Sequence, residues 1–230
     1  DAVPRDAHAA WRTFKGRRDP VAILQAADAT RQRELVPLRY GRMLQSPFTF
    51  YRGSAAVMAA DLARTPATGI RVQACGDCHL MNLGALAKPE RRLIFDINDL
   101  DETLPAPWEW DVKRLVASFV LAARSNGLSD RNGQDAAVAC ARSYREQMRE
   151  FAKMDVLDIW YARLDDVQYM SMMPEDRKTI AKKRIAKETK HSSSELVFPK
   201  MVEGAGGQFR IPLRGDRRVA GDRGGGAAGR

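Results

Sequence analysis

Asp77, His79 and Asn82 fall within six residues of one another, directly after an apolar run at 70–74. A second run, 93–95, leads into Asp96, Asn98, Asp99, Asp101 and Glu102. Short apolar runs bounded by polar and Gly positions read as buried strands. Each strand therefore delivers carboxylate, amide or imidazole groups at its end. Nowhere else does the chain gather so many groups able to hold a divalent cation or move a proton. Hard oxygen donors of this kind suit Mg2+.

The spacing narrows the chemistry. Asp77 and Asn82 are five apart, and Asp96 follows at the end of the second strand. This resembles the protein-kinase catalytic loop, H-R-D-x-x-x-x-N, followed by the acid of D-F-G. Gly76-Asp77-x-His79-x-x-Asn82 is similar to the G-D-x-H-x-x-N loop of aminoglycoside and choline kinase-like phosphotransferases. That resemblance implies Asp77 as base, Asn82 and Asp96 as metal ligands with Asp99 in reserve, and His79 ordering the loop. Asp77, Asn82 and Asp96 are then expected to converge. The alternative is that these groups cap strand ends and hold a turn.

Further segments carry a wider resemblance: Arg39-Tyr40-Gly41-Arg42-Met43, Ser46-Pro47-Phe48-Thr49-Phe50-Tyr51-Arg52-Gly53, Phe95-Asp96-Ile97-Asn98-Asp99 and Pro107-Trp108-Glu109-Trp110-Asp111-Val112-Lys113-Arg114-Leu115. With Cys75-Gly76-Asp77, they resemble a bacterial family, domain of unknown function 2252, from about residue 3 to about residue 209. Family members continue into a Gly-rich strand-turn-strand and a Gln-x-Lys-Glu-Ala segment that look like a phosphate-covering loop and an ATP-anchoring lysine. Neither occurs here, so the chain is expected to be the front part of a member, truncated or frame-shifted, and to bind ATP weakly or not at all. Asp111, by analogy with the phosphotransferases, would support the catalytic loop; a helix-dipole acid is the other reading.

Cys75-Gly76-Asp77-Cys78-His79 also fits the c-type haem and C-x-x-C redox patterns. No haem is expected, since attachment needs an exported protein, and both thiols are expected to be dispensable. Arg39, Arg42 and Arg52 suit either phosphates or the central acids. Arg52 is the candidate for cofactor binding.

The chain of 230 residues is 44% hydrophobic and 29% charged, which are globular values. No apolar run approaches the ~20 residues of a membrane span, and three cysteines without a framework suggest a cytoplasmic location. Residues 1–176 are neutral overall, whereas 177–230 hold 14 Lys/Arg against 5 Asp/Glu, the whole net charge of +9. That basic end reads as a solvated helix and tail, with nucleic acid not expected as a partner.

Helices are expected from Asp19-Pro20, from Pro37, over 54–64, from Trp108 or Glu109 to Asn126-Gly127, over 130–154 and 157–164, and from Pro174 to about 190. Residues 48–51 read as a short strand or packed turn, 84–92 as a hairpin-like connection, and 104–107 and 169–173 as breaks. Residues 214–230, with six glycines and five arginines, cannot build a core. The fold class is α+β, mainly helical, with a small sheet at the acidic stretch resembling a kinase C-lobe. The domain is 1–203, with a disordered Gly/Arg-rich tail over 204–230. The expected activity, for an intact relative, is transfer of a nucleotide phosphoryl group to a small-molecule hydroxyl. A non-catalytic binding or scaffold domain and a metal-dependent hydrolase are the rivals.

Overall fold

A computed structural model describes residues 3–9, 14–88, 93–191, 203–205 and 208–210. The expected disordered tail lies mostly outside the described residues. The chain divides into two compact units, residues 1–84 with 96–163, and residues 85–95 with 164–230. The fold is mainly helical with small antiparallel sheets, as the sequence predicts.

In the first unit a short 3-10 turn, Arg5–Ala9, precedes helix α1, Pro20–Asp28, which is capped by the Asp19 carboxylate on the Val21 N–H. Helices α2, Val36–Met43, and α4, Ala55–Leu62, pack with α1 around Ile23, Leu24, Met43 and Val57. Between them, residues 47–52 are neither strand nor turn but helix α3, Pro47–Arg52. The reason is local. Ser46 and Thr49 cap each other's backbone N–H groups, and Pro47 presets the first turn, overriding the β preference of the aromatic run.

Strand β1, Arg71–Ala74, then leads to the Asp77 loop, and strand β2 is Leu83–Ala87. The hairpin-like connection is therefore strand at its start. Strand β3 is Leu93–Ile97. Residues 104–107 do not break regular structure: they form strand β4, Leu104–Pro107, antiparallel to β1 with Val72 opposite Ala106. Pro105 and Pro107 alternate, so both missing N–H groups fall on the strand edge away from β1.

Helix α5, Glu109–Ser125, starts and stops where the sequence indicates, with Gly127 at φ 69 after its end. It packs on helix α6, Asp130–Phe151, where Gly133 lets the backbones approach over Ala123 and Val120. Helix α7 is Val156–Tyr161.

In the second unit, strand β5, Leu164–Asp165, extends the sheet in the order β2-β3-β5, with Phe95 opposite Leu164. The Met-rich stretch is not a break; it belongs to helix α8, Asp166–Met172, whose Tyr169 stacks on Phe95 at 3.9 Å. The basic helix α9 runs Glu175–His191, and strands β6, Glu203–Ala205, and β7, Gln208–Arg210, pair antiparallel. Among the described residues, no helix is long and apolar enough to cross a membrane.

Candidate functional site

The loop between β1 and β2 is bound along its length by one polar stripe of α5. Asp111, Arg114 and Ser118 lie three and four residues apart, hence on one helical face. The Asp111 carboxylate accepts from Cys75 N at 2.7 Å and Gly76 N at 3.1 Å. One turn on, Arg114 donates Nε and Nη2 to the same oxygen, Oδ1, of Asp77 at 2.7 and 2.5 Å. One turn further, Ser118 Oγ accepts from Leu80 N at 2.9 Å. Arg114 is 2% exposed and Ser118 fully buried. The supporting role expected of Asp111 is what its two hydrogen bonds describe.

A second set of bonds locks this loop to the acidic segment after β3. Asn82, itself buried, spends its amide N–H groups on the carbonyls of Asp77 at 3.1 Å and Asp99 at 2.9 Å. Its backbone carbonyl accepts from Asn98 N at 2.9 Å. Thr103 Oγ1 donates to the Ala74 carbonyl at 2.7 Å. Gly76, at φ 81, lies directly under the Glu102 backbone. The two clusters of the sequence are thus one structure.

Burial raises the Asp77 carboxyl above the ordinary carboxylate range; Arg114 pulls it back, and the nearby charges of Glu102 and Asp99 push it up again. The other Asp77 oxygen, Oδ2, stands 3.5 Å from His79 Nε2. Burial holds His79 down to about 4, helped by the cations Arg52 and Arg114, so this imidazole is neutral at pH 7. Among the described residues its buried Nδ1 has no hydrogen-bond partner, and Phe48 meets the ring edge-on at 6.5 Å.

The loss of the His79 charge has a testable pH consequence. Between pH 4 and 6.5 the unfolded histidine binds a proton that the folded one refuses, so stability must rise with pH across that window. The His79 contribution is complete above 6.5 and amounts to about 3 kcal/mol. Asp77 acts in the opposite sense at the acid end, because its folded carboxyl takes up a proton more readily than the unfolded one. Urea midpoints should climb from pH 4 to 6.5, and His79→Gln should flatten the climb. An unchanged slope in that variant would contradict the burial of a neutral imidazole.

Arg52, at the end of α3, is exposed, acts electrostatically on His79 and makes no salt bridge among the described residues. Arg39 is otherwise employed, holding Asp28 at 3.1 Å and the Gly53 carbonyl. Asp99 is exposed; one carboxylate oxygen accepts from Asp101 N at 3.0 Å. Asp96 is exposed too, and its carboxylate accepts from the adjoining Ile97 N at 2.8 Å. Asp77, His79, Asn82 and Asp99 are therefore brought together, with Arg52 beside them. No hydrogen bond or ion pair joins Asp96 to that group among the described residues. Nor do three or more His, Cys, Asp or Glu side chains converge there to hold a metal.

Cys75 and Cys78 are buried free thiols, and burial pushes Cys78 up to about 12 and Cys75 upward. Cys75 Sγ packs 3.6 Å from both Asn82 Nδ2 and the Asp99 carbonyl. Thiolates this scarce are poor nucleophiles and ligands.

The sequence pattern assigns no role to Arg114 or Ser118. The signal for both is present: Asp111-x-x-Arg114-x-x-x-Ser118 sets three polar residues at helical spacing along α5. A family model described as "Uncharacterized protein conserved in bacteria (DUF2252)" matches residues 31–223. No curated protein and no solved structure matches. A match over most of the chain, taking in both clusters and the α5 stripe, means that the chain belongs to this bacterial family.

Proposed function

We propose that the paired loops form a phosphoryl-transfer site acting on a hydroxyl of a small molecule. The observation that carries this reading is the use made of Asn82. Its N–H groups are spent on the Asp77 and Asp99 carbonyls, while its amide oxygen accepts no hydrogen bond among the described residues. A buried amide whose N–H groups are spent in this way keeps its oxygen for another partner, and Asp99, whose carbonyl it holds, has an exposed side chain.

The donor set fits a hard cation. Mg2+ binds through one or two protein carboxylates and keeps waters and phosphate oxygens for the rest, so the lack of a three-acid cluster does not count against it. Asn82 and Asp99 would hold the ion, with Asp96 as a further acid on the same segment. When bound, it supplies neutralisation of phosphate charge. The chain's own residues do the rest. Asp77 Oδ2, the oxygen not held by Arg114, accepts the hydroxyl proton. His79, neutral, fills the space beside it without adding a competing positive charge. Arg52 attracts the phosphate anion from the exposed side.

ATP is the proposed phosphoryl donor. For this chain, nucleotide affinity is set in the millimolar range, ~4 kcal/mol of binding. The described residues around Asp77 offer Arg52 but no Gly-rich backbone cradle to fix the phosphates. A non-catalytic binding domain is the second reading, favoured by the buried Asp77–Arg114 pair, since such pairs are often purely structural. Dependence of divalent-cation affinity on the Asp99 charge separates the two.

A further inference from the structure

We propose that Arg114 is a positioning residue that makes Asp77 a one-sided base: it occupies Oδ1 with two N–H donors and leaves Oδ2 as the only oxygen that can take a substrate proton. This rests on the reading of Asp77 as base. It goes beyond that reading by assigning the oxygen and the residue that selects it.

The geometry supports the assignment in three ways. Both donors of the Arg114 edge, Nε and Nη2, converge on one carboxylate oxygen and do not bridge the two. A guanidinium facing a free carboxylate prefers the parallel two-oxygen fork. Here that fork is not made: both donors meet Oδ1, and the second Nη2 hydrogen goes to the Tyr51 carbonyl at 2.7 Å. The guanidinium is held on its other sides as well. It lies 4.3 Å from the Tyr51 ring centroid, Nη1 contacts Met58 Sδ at 3.6 Å, and the Tyr51 hydroxyl donates to the Arg114 carbonyl at 2.8 Å. The arginine cannot follow the carboxylate if it rotates.

The second oxygen faces the site. Oδ2 lies toward His79 Nε2, and the acids that bear on Asp77 are Glu102 and Asp99 from the neighbouring segment. Tyr51, which burial pushes up to about 12, and the buried thiols Cys75 and Cys78 complete the titratable surroundings. All three are neutral at pH 7, so the positive charge facing Asp77 is that of Arg114, with Arg52 beyond His79. In the proposed step the substrate O–H bond breaks, the proton goes to Oδ2, and the electron pair stays on the substrate oxygen. With Oδ1 saturated, that proton has one destination.

The same contacts give Arg114 a second positioning role. Its grip on the Tyr51 carbonyl fixes the last turn of α3, and the next residue is Arg52. The base and the phosphate-attracting cation are thus set by one side chain.

The test uses the whole chain with Asp-selective carbon-13 labelling, the Asp77 signal being assigned by its absence in Asp77→Asn. Arg114→Lys keeps the charge but replaces the planar fork by a single rotatable ammonium. The Asp77 carboxyl should titrate at least one pH unit higher in Arg114→Lys than in the wild type. With Mg2+ and millimolar ATP, slow hydrolysis should fall about a hundredfold in kcat with KM changed little, and the acid limb of its pH profile should move with the Asp77 titration. A kcat profile whose acid limb stays in place would overturn the proposal, because a merely structural arginine lowers the folded fraction without moving that limb. If the wild type shows no ATP turnover at any pH, the phosphotransfer reading fails and the base assignment with it, whereas turnover with an unmoved acid limb overturns the positioning claim alone. If Arg114→Lys does not fold, the wild-type Arg114 Nε–H resonance serves: it must shift with the Asp77 midpoint, and independence of that midpoint overturns the proposal.

Discussion

Gly76→Ala should be among the most destabilising single substitutions in this chain, at about 4 kcal/mol or more. Two costs add. The φ of 81 places any residue with a Cβ in the left-handed region, at roughly 1–2 kcal/mol. The new methyl would also lie 2.0 Å from the Glu102 carbonyl oxygen and 2.7 Å from its carbon. Neither atom is the free end of a side chain, so relief requires the acidic segment to lift as backbone. Lifting it strains the Asn82 bond to the Asp99 carbonyl and the Thr103 bond to Ala74. Gly69 supplies the control: its φ is 87, but a Cβ there meets nothing within 4 Å. Equilibrium urea unfolding of both variants should show Gly69→Ala losing about 1 kcal/mol and Gly76→Ala several times more. Equal losses would mean that the two loops are not interlocked at Gly76.

Arg114→Met should cost about 3–5 kcal/mol, and the loss should depend on Asp77. Arg114 is 2% exposed and Asp77 has 17% of its side chain exposed, so the methionine leaves a carboxylate with little water and no counter-charge. Nη2 also satisfies the Tyr51 carbonyl, which is stranded as well. Adding Asp77→Leu should recover much of the loss, because an apolar pair of similar volume has no charge to desolvate. The single variant should also lose less at acid pH, where Asp77 is neutral. Urea unfolding of the two singles and the double in one cycle measures the coupling. A double variant no better than Arg114→Met would show that the arginine acts through packing, not through the carboxylate.

Much of this architecture is legible in the sequence where local chemistry and tertiary packing agree. Asp19-Pro20 caps α1, and Glu109 and Asn126-Gly127 bound α5, because capping depends on a few neighbouring atoms. The apolar runs before the two acidic clusters fold as β1 and β3 for the same reason. Where partners lie far away in the chain, the pattern misleads. Residues 104–107 read as a proline-broken loop, yet pairing with β1 holds them extended, and the alternate prolines cost no ladder bond. Residues 48–51 read as a short strand or packed turn, yet the Ser46–Thr49 box outweighs propensity and makes helix.

The candidate site was legible in part of its expected members, Asp96 excepted, and less so in its supports. Spacing alone groups Asp77, His79 and Asn82, but spacing cannot say that Asn82 ties two loops 17 residues apart. The apolar repeat of α5 draws attention to Val112, Leu115 and Phe119, while the most buried positions are Arg114 and Ser118. A buried arginine is visible only through its partner, and the partner of Arg114 lies 37 residues earlier.

The central claim is that the joined loops present oxygen donors to a divalent cation, and Mn2+ binding followed by water-proton relaxation tests it most directly. Asp99→Asn is the variant of choice, because the exposed carboxylate is neutralised while the Asp99 carbonyl that holds Asn82 is retained. One saturable Mn2+ site is expected, of about millimolar affinity without phosphate, ~4 kcal/mol, weakened at least about tenfold by Asp99→Asn, a loss of about 1.4 kcal/mol. Absence of saturable binding, or binding unchanged in Asp99→Asn, would contradict it.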